Sequence, residues 1–190
     1  DTTTGVSIMR VEKKLDSGPV ISLEKLKIKK KDNAGNLHNK LALIGADILI
    51  KTIIKVYQNN YNFKFQNEEE ATYAKKITPN ELKIDWTLSA VEIVRKINAF
   101  YPKPCTYTHL NDRRLKLGKA EVLEHQKFFK KAPGTLLVSK DKKGTLLAIH
   151  CGIGMLKINL IQKESGNWID AKSFINGFKN SGEIVLGGNI

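Results

Sequence analysis

The sequence predicts an α/β segment followed by an all-β segment that closes as a small antiparallel barrel, and three observations carry that expectation. Up to about residue 60, two alternating apolar stretches precede one long apolar repeat of helical period. From 62 to 85 neither period persists. Beyond 105 the chain breaks into short apolar runs at even spacing, punctuated by glycine turns. With 190 residues, 41% hydrophobic and 27% charged, the chain can bury one ordinary core or two small ones and is too apolar to stay disordered. Its longest apolar stretch, Leu41 to Ile50, is interrupted by Gly45 and Asp47. That is far short of the roughly 20 residues of a bilayer span, so no membrane partner is expected.

In Gly5-Val-Ser-Ile-Met-Arg-Val11, Val6, Ile8 and Arg10 fall on one side and Ser7, Met9 and Val11 on the other, a strand buried mainly on one face. Leu15-Asp-Ser-Gly-Pro19 is a turn by composition, after which Ile21, Leu23, Leu26 and Ile28 resume the apolar pattern as a second strand. Leu37, Leu41, Ile44 and Ile48 recur at helical spacing and predict a long amphipathic helix to about Tyr57. The polar, acid-rich stretch 62–85 reads as a linker between a first part, 1–61, and a second, 86–190. A helix starting at Trp86 would place Ala90, Ile93, Val94, Ile97 and Tyr101 on one face and stop at Pro102 and Pro104. Short strands follow at 115–117, 135–139, 145–150 and 155–161, and a last helix is expected at about Asp170 to Phe178.

Charge limits the partners. The chain carries 32 Lys plus Arg against 19 Asp plus Glu, a net +13, which favours a polyanion and above all nucleic acid. The excess is uneven: residues 1–85 hold 15 basic and 11 acidic side chains, residues 86–190 hold 17 and 8. Because only Arg10, Arg95, Arg113 and Arg114 are arginines, a compositional bias toward Lys, Asn and Ile is the alternative reading. Cys105 and Cys151 are too few for a disulfide scaffold, which fits a reducing, cytoplasmic setting. The first residues show neither an initiator Met nor a signal peptide, so a fragment is expected.

Several residues admit a chemical and a structural reading. Asp16, in a Gly-Pro turn at a strand end, either projects its carboxylate into a cleft or caps its own turn. Lys14 is an exposed turn residue and Leu15 a core residue by type. Lys75 and Lys76, beside Tyr73, either meet phosphate and ribose or are simply solvated. Gly152-Ile-Gly154 lacks the Gly-Lys-Ser/Thr of a phosphate loop and reads as a hairpin bend. His38, His109, His125 and His150 are too scattered to form a triad or a metal site, and no metal is expected.

Taken in order, several stretches resemble one family, the methionyl-tRNA formyltransferases. They are Gly5-Val-Ser-Ile-Met with Leu15-Asp-Ser-Gly-Pro19, Gln66 to Trp86, Phe100-Tyr-Pro-Lys-Pro104, Ala132-Pro-Gly-Thr135 and Leu160-Ile-Gln162. Ala71-Thr-Tyr-Ala-Lys-Lys-Ile77 and Ile84-Asp-Trp86 are the most specific. The resemblance implies a partial Rossmann-like formyltransferase domain followed by an OB-like β-barrel, acting in translation initiation. It implies a monomeric enzyme that moves a formyl group from 10-formyltetrahydrofolate, its co-substrate, to the amino group of initiator Met-tRNA. Asp16 would be catalytic, Lys14 and Leu15 would lie along the folate, and Lys75 and Lys76 would contact tRNA. The family's catalytic Asn and His belong to an earlier segment with no counterpart here, so this chain alone is expected to be inactive. A carboxylate is needed because it raises the pKa of a neighbouring imidazole and holds a water for proton transfer. The imidazolium and an amide in turn stabilise the tetrahedral oxyanion. Two rivals stand beside this reading: a formyltransferase acting on a nucleotide-linked amino sugar, and a non-catalytic basic RNA-binding module.

Overall fold

The computed structural model describes residues 1–123, 131–141, 144–176 and 184–187. The chain divides into two compact units, Asp1–Lys76 and Ile77–Ile190, so the boundary falls inside the segment expected as a linker.

The first unit is a hairpin covered by one helix. Strands β1 (Thr3–Met9) and β2 (Val20–Lys27) pair antiparallel from Thr3 opposite Lys27 to Met9 opposite Val20, with an irregularity at Ile8/Met9. Helix α1 (Ala34–Tyr57) starts where Asn33 and Asn36 satisfy each other's main-chain N–H groups, at 3.0 and 2.9 Å. Its predicted apolar stripe faces the hairpin, down to buried Ile48 and Thr52. Thr52 is accommodated because its hydroxyl bonds Ser22 at 2.8 Å and the Ile48 carbonyl at 2.7 Å. Beyond Thr52 the helix is exposed all round, including Ile53, Ile54, Val56 and Tyr57.

Residues 61–70 form a strap that belongs to this unit. Lys64 exchanges two main-chain hydrogen bonds of 2.8 Å with Val20, and Phe63 lies under the Arg10 guanidinium at 4.7 Å. A single turn of 3₁₀ helix follows at Glu68–Glu70.

The second unit is one antiparallel sheet curled into a nearly closed barrel. After a single turn, α2 (Pro79–Leu82), and helix α3 (Ala90–Phe100) come β3 (Thr106–Leu110), β4 (Arg113–Leu123), β5 (Thr135–Asp141), β6 (Gly144–His150) and β7 (Met155–Lys163). Then come β8 (Trp168–Asp170), helix α4 (Ala171–Asn176) and β9 (Ile184–Val185). The strand order is β3-β4-β7-β6-β5-β9, with β8 on the free stretch of β7. The ladder shifts register at Gly118, where β4 bends and Tyr101 and Trp168 close over the glycine. A Cβ there would come within 2.7 Å of Trp168.

The core runs from Ile93 and Ile97 of α3 through Leu117, Leu147, Ile149, Leu156 and Ile158 to Phe174 of α4. Trp86 is buried in it, its indole N–H donating to the Thr108 hydroxyl at 3.0 Å. Helix α3 therefore begins at Ala90 rather than Trp86, because Ser89 and Glu92 build a reciprocal N-cap. Tyr101 is its C-cap and not part of the helical face. Gly152-Ile-Gly154 is the bend between β6 and β7, as its composition indicates. The Gly152 N–H donates to both Trp86 and Leu88 carbonyls, at 2.8 and 2.9 Å. The last helix occupies Ala171–Asn176; the remaining expected positions, 177 and 178, lie outside the described residues, as does His125.

Candidate functional site

The Lys14-Leu-Asp-Ser-Gly-Pro19 turn is held from several sides. Gly18 is obligatory on packing grounds: a Cβ would sit 1.8 Å from the Arg10 carbonyl oxygen. Pro19 accepts the Arg10 N–H at 3.1 Å, which fixes the base of the turn. Asp16 itself has φ of 56°, a left-handed backbone that Asp and Asn tolerate better than most side chains. Two groups close the turn around it. The Ser17 hydroxyl donates to the Lys14 carbonyl at 3.0 Å, and the Gln66 amide donates to the carbonyls of Asp16 at 2.9 Å and Gly18 at 2.7 Å.

The capping bond that the alternative reading of Asp16 requires is not made. Among the described residues the Asp16 carboxylate has no hydrogen-bond or ion-pair partner, and the residue is exposed. Its main chain is thus over-determined while its carboxylate remains free, the arrangement expected of a side chain presented to something else.

Lys14 and Leu15 flank it differently. The Lys14 ammonium pairs with Glu68 at 2.9 Å, and that hydrogen bond, helped by the Glu68 charge, raises its pKa from the ordinary lysine value. Leu15 is 87% exposed, which corrects the core reading of its residue type. The turn lies beyond the paired part of the hairpin, and the strap binds its carbonyls and Lys14 rather than the Leu15 side chain.

Lys75 and Lys76 are exposed on an extended stretch without regular structure, with Tyr73 beside them 86% exposed. Among the described residues no hydrogen bond or ion pair joins either lysine to the Asp16 turn. The part Gln66 plays in the turn has no signal in the sequence, since a lone glutamine in a polar stretch carries no periodicity. The cysteines are poor nucleophiles: burial raises the Cys105 thiol and pushes Cys151 up to about 12. Among the described residues no group of His, Cys, Asp and Glu is placed to hold a metal, and no helix is long and apolar enough to cross a membrane.

Comparison with known proteins gives this geometry a family. Residues 76–179 match the family described as formyl transferase, C-terminal domain. A methionyl-tRNA formyltransferase of Coxiella burnetii is 38% identical over 176 residues, covering 93% of this chain and 54% of its own length. The chain thus spans about half the length of the curated relatives it matches. Among solved structures, HypX from Aquifex aeolicus in complex with tetrahydrofolic acid superposes with a TM-score of 0.70 at 14% identity, over 97% of this chain and 34% of that one. An N-formyltransferase from Helicobacter canadensis in complex with folinic acid and dTDP-3-aminofucose gives 0.63 at 19%, over 86% and 57%. At those identities the likeness is one of fold. The family match itself covers more than half of the sequence, from the end of the extended Lys75-Lys76 stretch through all of the barrel's strands but β9, and on that ground the chain belongs to the formyl transferase family.

Proposed function

We propose that this chain serves formyl transfer from 10-formyltetrahydrofolate to the amino group of initiator methionyl-tRNA, in translation initiation. The observation that carries the reading is the 38% identity to a methionyl-tRNA formyltransferase across 93% of the chain. The Asp16 turn supports it with a main chain that is held in place and a carboxylate that is exposed and, among the described residues, unpaired.

In this reading the folate brings the formyl group when bound, the imidazole and the amide that stabilise the oxyanion come from outside this chain, and this chain supplies the carboxylate beside them. Asp16 keeps a neighbouring imidazole charged and oriented, and takes up the proton released by the attacking amine through an ordered water. Leu15 fits a flat heteroaromatic ligand because it is apolar and uncovered. Lys14 can offer only its aliphatic stem, since its ammonium is held by Glu68. The two folate-bound neighbours of similar fold are consistent with such a ligand. Lys75 and Lys76 contact the tRNA backbone electrostatically, with no base code.

Three measurements test the reading. In an enzyme carrying this chain, Asp16→Asn should lower the turnover number by roughly 100- to 10,000-fold, the range for a lost acid–base partner, with tRNA affinity nearly unchanged. Turnover within a factor of a few of wild type would return Asp16 to a structural role. Lys75→Ala with Lys76→Ala should weaken tRNA binding and lower the dependence of log affinity on log salt by about one to two units. Formyl transfer to a nucleotide-linked amino sugar, and none to Met-tRNA, would assign the other substrate.

A further inference from the structure

The strap 61–70 does more to the Asp16 turn than close it, because Gln66 is anchored along the chain on both sides. Two residues earlier, Lys64 exchanges its two main-chain bonds with Val20. Immediately after it, the Asn67 carboxamide accepts the Glu69 N–H at 3.1 Å and caps the 3₁₀ turn. The Gln66 amide therefore reaches the Asp16 turn from a fixed main chain. It makes two short bonds there, one for each of its N–H groups: to the Asp16 carbonyl at 2.9 Å and to the Gly18 carbonyl at 2.7 Å. The Met9 sulfur lies farther from the same nitrogen, at 3.9 Å.

The two carbonyls are unlike. Gly18 and Pro19 are buried, whereas Asp16 is exposed and sits at a φ of 56°. The Asp16 carbonyl belongs to the peptide plane that leaves Asp16, so holding it fixes ψ and, with φ, the direction in which Cβ departs. Gln66 thus ties an exposed plane to a buried base. A left-handed backbone is disfavoured for a residue with a Cβ, and a hydrogen bond made in that conformation keeps it populated. Among the described residues no other group bonds the Asp16 carbonyl: the Ser17 hydroxyl acts on Lys14, and the Lys14–Glu68 pair is exposed. Chemistry narrows the residue type. A glutamate has no N–H to give, an asparagine is one methylene short, and a methionine keeps the length without a donor.

We infer that Gln66 is a positioning residue for formyl transfer: it holds the Asp16 carboxylate where the imidazole and the proton-carrying water of the proposed function meet it. The inference rests on that reading of Asp16 and adds a residue that acts through the carboxylate rather than on the substrates. A purely structural role fits less well. The base of the turn is already held by the Arg10–Pro19 bond, the Lys64–Val20 bridge and the close packing at Gly18, none of which needs Gln66.

The test is a double-mutant cycle in an enzyme carrying this chain, with 10-formyltetrahydrofolate and initiator Met-tRNA as substrates. Gln66→Met should lower the turnover number about tenfold and change either KM by less than about threefold, the pattern of a displaced group that acts in the transition state. In the Asp16→Asn background the same substitution should lower turnover by less than about twofold, because its effect passes through the carboxylate. The pH profile separates positioning from folding. Activity should fall at high pH as the imidazolium loses its proton, and a displaced carboxylate holds that pKa up less. The alkaline limb should therefore move down by about 0.5 pH unit in Gln66→Met. A smaller folded fraction would lower the whole profile without moving it. In the unaltered 190-residue chain, the Gln66 side-chain amide protons should exchange with water at least about threefold more slowly than those of free glutamine, a readout independent of any variant. The inference is overturned by unchanged turnover in Gln66→Met, by a loss that persists undiminished in Asp16→Asn, by a loss confined to KM, by an unmoved limb, or by amide protons as fast as those of free glutamine. Each of these leaves Asp16 in its role. Turnover of Asp16→Asn close to wild type instead defeats the proposed function, and the positioning role falls with it.

Discussion

Individual positions in this chain are constrained most where main chains touch. Gly152 is the sharpest case, because a Cβ would stand 1.7 Å from the Thr87 carbonyl oxygen and 3.3 Å from that of Leu88. Those contacts are backbone, so no side-chain rotation relieves them, and the Gly152 N–H is meanwhile fixed by two carbonyls. Gly152→Ala should therefore destabilise the barrel by about 3 kcal/mol, the upper range for overpacking, as measured by urea denaturation of the second unit's signals. Gly154→Ala should cost less: its Cβ would meet only Ala90, at 3.7 Å, and the strain is that of a φ of 78°. A smaller loss for Gly152→Ala than for Gly154→Ala would contradict the contact argument. In sequence the two glycines are indistinguishable, and a bend was all that their spacing could predict. At Asp16 the turn was legible for a similar reason, since Gly-Pro and Asp are local signals. What fixes the turn around it was not legible, because the hydrogen bonds to the carbonyls of Lys14, Asp16 and Gly18 come from Ser17 and from Gln66, the latter fifty residues from Asp16 along the chain.

Among the elements, those written in strong periodicity came out where the pattern put them: β1, β2, α1 and the strands of the barrel's apolar runs. The strand β3 was hidden because two of its buried positions are Thr106 and Thr108, which look polar although Thr108 serves the Trp86 indole. The strap 61–70 was hidden because it joins the hairpin through one bridge and a few side chains, too little pairing to impose alternation. Caps, by contrast, are local chemistry and can be tested locally. The Ser89 hydroxyl donates to Glu92 at 2.6 Å and the Ser89 N–H at 3.0 Å, and these bonds hold the Glu92 carboxyl below its ordinary value. Ser89→Ala should destabilise the barrel by about 1 kcal/mol at neutral pH. The sign with pH follows from the depressed folded value. The stabilisation is complete above the ordinary glutamate pKa of about 4.3 and is lost as pH falls through the folded value. Unfolding curves of wild type and variant should therefore draw together as the pH is lowered past that point. A gap that widens on acidification would mean that the hydroxyl acts on something other than Glu92.

For the molecule as a whole, the two units differ in how much of themselves they bury. The second encloses a continuous core from Ile84 to Leu186 within a sheet whose strands have partners on most of their length. In the first, a two-stranded hairpin rests on one helix whose outward side carries Leu43, Leu49, Ile50, Ile53 and Ile54 in the open. A two-stranded sheet with one helix lies near the lower limit of independent stability. Its ladder hydrogen bonds can open without breaking a large core, and local opening sets the exchange rate of the amides that make them. Amides of β1 and β2 should accordingly exchange at least about tenfold faster than those of β4, β6 and β7, which are buried in the barrel. Mass-spectrometric hydrogen exchange on the intact chain reads this directly. Equally slow exchange in both units would show the apolar side of α1 to be covered in solution. If that protection rose with protein concentration, the cover would be a second copy of the chain and the expectation of a monomer would fall.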